Sequence, residues 1–213
     1  MMTTKSLFSS FLFCFVSYLS TAQSHSYKNS VQLHVEALYV KADQRPQSPV
    51  PKYSLIYTKR LAESRWSTET GVSYTNRYVR EQFTPYQFFF PGDRSQLVTL
   101  DLTAMYNLLR SNRHAFRLGA GPSLWYTRNG LVANLSGTTI AGGQQPTDVS
   151  FTRNYSHDFN LAFTLRSSYE YSLTSRMVLG VRASIGGNVL NGNGNSTLVG
   201  GLSTVGLSTG YCF

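Results

Sequence analysis

Charge is scarce in this chain. Asp, Glu, Lys and Arg together make up 14% of its 213 residues. The formal net charge of +9 is spread singly, with no Lys/Arg run to make the basic stripe that a nucleic-acid backbone needs. No apolar run reaches the roughly 20 residues of a helical membrane span. Nowhere do His, Cys, Asp and Glu recur at metal-ligand spacing, and no glycine loop of the phosphate-cradling kind is present. No cofactor and no metal is therefore expected. The 3.6-residue apolar period of an amphipathic helix is almost absent. Only two cysteines occur, so a disulfide framework is excluded. What is plentiful is 14 Tyr and 13 Phe, a strand-favouring composition.

Residues 1–22 read as a cleaved secretory leader. Lys5 provides the positive start, residues 7–19 an apolar run broken only by Ser, and Ser20-Thr21-Ala22 the small residues before the cut. Cleavage removes Cys14, which lies inside the apolar run behind Phe11-Leu12-Phe13, unlike a lipoprotein cysteine. Residues 23–213 then form one domain, with Cys212 as its one cysteine.

Within that domain eight segments alternate between an apolar and a polar face, as strands with one face in lipid do. They cover about 30–40, 52–60, 66–77, 97–108, 115–127, 158–171, 177–186 and 199–213. In the sixth, Phe159, Leu161, Phe163, Leu165, Tyr169 and Tyr171 oppose Asp158, Asn160, Thr164, Arg166, Ser168 and Glu170. Ile56 in the second and Trp125 in the fifth stand on the polar side. The spacers alternate as well. Long ones (41–51, 78–96, 128–157, 187–198) take turns with short ones (61–65, 109–114, 172–176). Long extracellular loops and tight periplasmic turns follow this rule in transmembrane barrels. A strand of about 10 residues tilted near 40° rises about 25 Å, the height of the apolar band. The expected fold is all-β: an eight-stranded antiparallel up-and-down transmembrane barrel, monomeric, with its polar face inward.

The polar face carries Glu36, Glu69, Asp101 and Glu170 against Arg117, Arg166 and Arg182. The interior of an eight-stranded barrel is only wide enough for side chains, and an isolated charge there costs several kcal/mol. These seven residues are expected to pair across the lumen, with a gated polar path as the other reading. Inward Gly71, Gly119, Gly121, Gly180, Gly206 and Gly210 leave room for them. Of the spacers, 128–157 is rich in Gly, Thr, Gln and Asn and reads as a mobile, solvated loop. The spacer 78–96 is aromatic, with Phe83, Tyr86, Phe88, Phe89 and Phe90 between Arg77, Arg80 and Arg94. Two readings stand side by side. Either strands three and four run past the membrane and these rings join the interfacial girdle, or they form a contact surface for a partner. The nearby arginines suit outer-leaflet lipid phosphates.

The last residues, Tyr211-Cys212-Phe213, complete an alternating segment ending on an aromatic. In this and in its eight alternations the chain resembles the small eight-stranded outer-membrane barrels of the OmpA/OmpX type and the outer-membrane β-barrel proteins of Bacteroidota. The resemblance implies location in the bacterial outer membrane, contact with its lipid, and a signal for barrel-insertion machinery at Phe213 and Tyr211. That pattern places Gly five residues before the last aromatic. Ser208 stands there instead, between Gly206 and Gly210.

For function the expectation is a membrane anchor for surface loops with an adhesion or interaction role, acting on an unidentified surface ligand and not an enzyme. The alternative is a porin-like channel for small solutes. A lipid-modifying enzyme is a third reading. Ser156-His157-Asp158 near the outer rim is its one candidate, but neighbouring strand residues point apart.

Overall fold

The computed structural model describes residues 29–41, 49–61, 64–83, 88–111, 113–138, 148–189 and 201–213. The expected leader, residues 1–22, lies outside them. Eight strands are present: β1 Asn29–Lys41, β2 Val50–Arg60, β3 Trp66–Phe83, β4 Phe88–Asn107, β5 His114–Thr138, β6 Asp148–Ser172, β7 Met177–Asn188 and β8 Gly201–Cys212. Each pairs antiparallel with the next, and β8 pairs with β1 to close the barrel. The closing seam is tied at its end. The Asn29 N–H donates to the Phe213 carbonyl at 3.1 Å, and the Phe213 N–H returns a bond to Asn29 at 3.0 Å. Closure leaves no end strand in the barrel wall, which is what a β-structure needs where there is no water to satisfy it. No helix of the described residues is long and apolar enough to cross a membrane.

The register sets the barrel's tilt. Partners taken strand by strand from Asn29 run through Lys59, Thr68, Ala104, Ala120, Leu165, Ile185 and Ser203. They return to β1 at Tyr39, ten residues further on. With eight strands about 4.8 Å apart and about 3.3 Å per residue, that stagger corresponds to a tilt of about 40°. Each residue then climbs about 2.5 Å along the barrel axis.

The outside is apolar and the inside polar, the reverse of a water-soluble barrel. Leu33, Leu165, Ile185 and Leu207 are 56–67% exposed on the outer face. Ser30, Gln32, Ser54, Thr58, Ser73 and Thr103 are buried inside. Exposed side chains of that size lose nothing if their solvent is hydrocarbon, so this face forms a lipid-contacting band. Aromatic residues flank it. Trp66 and Tyr106, with ring centroids 5.1 Å apart, lie at the end of the short turns, and Tyr74, Tyr126 and Phe159 at the other. Such rings suit the membrane–water interface.

Two of the long spacers are mostly strand. The segment 128–157, expected as a loop, instead continues the β5–β6 ladder as far as Thr138 paired with Asp148. The residues 78–83 and 88–96 likewise lengthen β3 and β4, with a register shift between Tyr78 and Arg80. The reason is local. Val132, Phe151 and Tyr155 favour strands, and Arg128 and Arg153 lie over the Tyr155 and Phe151 rings, 4.3 and 4.6 Å from their centroids. A bulge between Ala133 and Ser136, with Asn134 at φ 51°, absorbs the irregularity in the sequence. Crossing the apolar band takes about ten residues at this tilt, whereas β5 and β6 have 25 each. Residues 128–138 therefore rise about 25 Å beyond the band.

Replacing Leu165 by Arg, at mid-height on the outer face, is expected to lower unfolding free energy in lipid vesicles by about 2–4 kcal/mol. Urea titration measures it; an unchanged midpoint would mean that this face does not contact hydrocarbon.

Candidate functional site

The strand periodicity turns Glu36, Glu69, Asp101, Arg117, Arg166, Glu170 and Arg182 inward, each 7% exposed or less. Lys52 joins them, a residue the sequence reading missed. The available signal was its phase in the β2 alternation, shared with Ser54, Ile56 and Thr58, but it stands at the very end of that segment. Five ion pairs connect these eight residues among the described ones. Arg166 lies 2.8 Å from Asp101 and 3.6 Å from Glu69. Arg182 pairs with the same Glu69, Arg117 with Glu170, and Lys52 with Glu36 at 3.3 Å. Four carboxylates thus face four cations.

Neutral donors and acceptors add to the set, while Arg166 Nε, Arg182 Nε and His34 Nδ1 find no partner among the described residues. Glu36 accepts from Ser54 at 3.1 Å and from Thr204 at 3.2 Å. Glu170 accepts from the Gln32 amide at 3.1 Å. Arg166 also donates to Thr103 at 3.1 Å, and Ser123 donates to Asp101. His34 Nε2 lies 3.4 Å from the Arg182 guanidinium. A chain of hydrogen bonds and ion pairs therefore runs from Trp125 through Ser123, Asp101, Arg166 and Glu69 to Arg182, touching six of the eight strands once His34 on β1 is included.

Room for these long side chains comes from the partner positions. Gly71 is the cross-strand partner of Asp101, Gly119 of Arg166, Gly180 of Glu170, and Gly206 of both Glu36 and Arg182. A Cβ at Gly206 would meet the Val35 carbonyl and stand 2.8 Å from Glu36 Cγ. Gly121 is the tightest case, since a Cβ there would overlap the Leu102 carbonyl. The β4–β5 ladder has no paired residues at Leu102 and Thr103, opposite Gly121 and Pro122. Pro122 has no N–H to give there.

Above the charges, toward the long-loop end, five apolar side chains are buried inside the barrel. Leu38, Leu97, Trp125, Ala162 and Leu202 form one buried cluster. Trp125 is fixed by its indole N–H, which donates to Ser123 at 2.8 Å. Between the two layers lies a cavity of about 20 Å3 bordered by Lys52, Asp101, Trp125, Arg166 and Leu202. That holds about one water, not a solute.

The other candidates are dispersed. Tyr86 lies outside the described residues. Phe83, Phe88, Phe89 and Phe90 sit on the facing ends of β3 and β4, with Phe83 paired to Phe88, and their side chains are not described. His157 does not join Ser156 and Asp158. Its Nδ1 is 2.6 Å from the Tyr126 hydroxyl and the two rings stack, whereas Asp158 holds the inward position beside Thr127. Tyr211 and Phe213 point outward at the end of β8, 49% and 59% exposed, and Cys212 between them is buried. No group of three or more metal-binding side chains occurs among the described residues.

Arg166 is the one cation in two of these ion pairs among the described residues, and Asp101 pairs with no other cation in them. Arg166→Met is expected to destabilise the barrel by about 3–5 kcal/mol, since it strands buried charge. Lys52→Met combined with Glu36→Gln, which removes both members of a pair, is expected to cost under about 1.5 kcal/mol. Equal losses in the two variants, measured by urea unfolding in vesicles, would contradict the network's energetic hierarchy.

No protein-family model and no curated protein matches this chain. Solved structures do, by shape. A major outer membrane protein from Thermus thermophilus superposes with TM-score 0.59 at 12% identity, over 89% of this chain and all of that one. Ail, the attachment invasion locus protein of Yersinia pestis, in complex with the heparin analogue sucrose octasulfate, gives 0.54 at 11% identity, over 88% of this chain and 99% of its own. OprG from Pseudomonas aeruginosa gives 0.52 at 13% identity, over 91% and 99%. At such identities the likeness is one of fold. With its closed antiparallel sheet, apolar exterior and charged interior, the chain has the fold of the small eight-stranded bacterial outer-membrane β-barrels.

Proposed function

We propose that the protein is an outer-membrane anchor that carries the extended ends of β3 to β6 above the membrane as an interaction surface, with a lumen that does not conduct. The observation that carries this reading is length. β5 and β6 have 25 residues each where about ten cross the band, and β3 and β4 have 18 and 20. Such paired ladders, each with one register shift, hold a surface above the band, which a binding role uses and a pore does not. Two features support a closed lumen: the balanced ion pairs, and the apolar layer above them, of the kind that excludes ions by dewetting. The attachment protein Ail shares the fold. That likeness agrees with an adhesion-type role.

The porin-like reading draws on the cavity between the layers, which at about 20 Å3 is too small for a solute. A non-enzymatic role is in keeping with His157, which spends its Nδ1 on Tyr126 and not on a nucleophile.

Surface presentation is tested by cysteine labelling of intact cells with a membrane-impermeant maleimide. Thr152→Cys, exposed on β6 beyond the band, is expected to label fully. Ser175→Cys, in the β6–β7 turn, is expected to label only after the outer membrane is opened. Protection of position 152 in intact cells would overturn the proposal.

A further inference from the structure

The outer face of β4 and β5 carries arginines that the lumen network does not use. Cross-strand rungs locate them. Tyr74, Val98, Tyr126 and Phe159 form one outward rung at the top of the apolar band. The next outward rung is Asn76, Gln96, Arg128 and His157, and the one above it Tyr78, Arg94, Gly130 and Tyr155. Arg128 thus stands about 5 Å above Tyr126 along the axis, and Arg94, on a strand where each rung lies about 3 Å lower, about 7 Å above it. The headgroup region is about 5–8 Å deep on each side of the hydrocarbon, so both lie at its level.

Arg94 and Arg128 are diagonal neighbours across the β4–β5 ladder, a placement that puts their stems about 7–8 Å apart. Each is held against a ring on the same face. Arg94 lies over Tyr78 at 5.2 Å, and its Nε–H donates to Asn76 at 3.1 Å. Arg128 lies over Tyr155 at 4.3 Å. Gly130, the cross-strand partner of Arg94, is buried beneath the Tyr155 ring and the Arg153 stem. A Cβ there would come within 2.8 Å of the Tyr155 ring. Neither arginine is in any of the five ion pairs among the described residues. The neighbouring acids, Asp93 and Asp158, hold inward-phase positions, and Asp93 accepts the Val132 N–H at 2.8 Å.

We propose that this Arg94–Arg128 patch binds the phosphate groups of a phosphorylated outer-leaflet glycolipid. Two guanidinium groups, each held against a ring and outside the lumen's ion pairs, match a phosphate dianion, to which arginine offers paired N–H donors. Lipid is the source because the patch occupies the first two outward rungs above the apolar band. Acyl chains lie against Tyr126 and Phe159 while the phosphate reaches the arginines. The site is independent of whether the lumen conducts.

The test uses the folded, full-length barrel in phosphatidylcholine nanodiscs doped with a bisphosphorylated glycolipid or with the same lipid after phosphatase treatment. Native mass spectrometry counts the lipid each barrel retains. Retention of the phosphorylated form is expected to exceed that of the dephosphorylated form. It should fall about fivefold for each of Arg94→Gln and Arg128→Gln, and not for Arg110→Gln beyond β4 at the opposite end. Equal retention of the two lipids by the unaltered protein would overturn the proposal without recourse to any variant. So would equal loss in Arg110→Gln. Displacement of the lipid by millimolar inorganic phosphate would show that a soluble phosphate is the ligand and would overturn the assignment to lipid.

Discussion

Eight strands enclose a space only one layer of side chains thick, and no inward charge in that space can rely on water. Everything else in the interior follows. An unpaired guanidinium or carboxylate there costs several kcal/mol, so cations and carboxylates come in equal number and within reach of one another. Long side chains need volume, so glycine is the partner of Asp101, Arg166, Glu170, Glu36 and Arg182. Arg166 and Arg182 share Glu69, which joins β3, β6 and β7 across the barrel and not along its wall. Buried ion pairs are weak as a source of net stability but strong as a constraint, since any other packing leaves a charge stranded. In this barrel they fix which side chains meet at the centre.

The membrane-spanning half of this design was legible because lipid and lumen impose opposite chemistry on alternate residues. Leu161, Phe163 and Leu165 between Asn160, Ala162, Thr164 and Arg166 could be read in one direction only. The portions beyond the membrane were not legible by that means. With water on both faces, Arg128 to Thr138 and Asp148 to His157 have no reason to alternate, so Gly, Ser, Asn and Thr there looked like loop. The ladder is instead kept by backbone pairing and by arginines laid over Tyr155 and Phe151. Lys52 escaped for a different reason. It stands at the edge of its segment, where one residue of doubt in the boundary decides whether a charge is counted as inside. The apolar layer of Leu38, Leu97, Trp125, Ala162 and Leu202 was hidden because each member sits alone on the polar face of its own strand. Only the ten-residue stagger of the barrel brings them to one height.

The molecule divides its chemistry by height. Ion pairs occupy most of the lumen's height, and one apolar layer lies above them toward the long connections. The outside is hydrocarbon-like across the band, then aromatic, then cationic. Above that, the paired strands continue for about 25 Å with no membrane to hold them. The proposed display role makes use of ladders carried so far past the lipid, and the apolar upper layer is in keeping with it. A barrel that displays a surface needs a rigid stalk, a firm seat in the outer leaflet and an interior that does not leak.

Single-channel recording of the refolded protein in a planar bilayer tests this account most directly, with insertion verified by heat-dependent gel mobility. The account predicts a silent bilayer, because paired charges and the apolar layer leave room for about one water between them. Stable conductance steps from the unaltered protein would contradict it and show a path past Trp125 and Arg166.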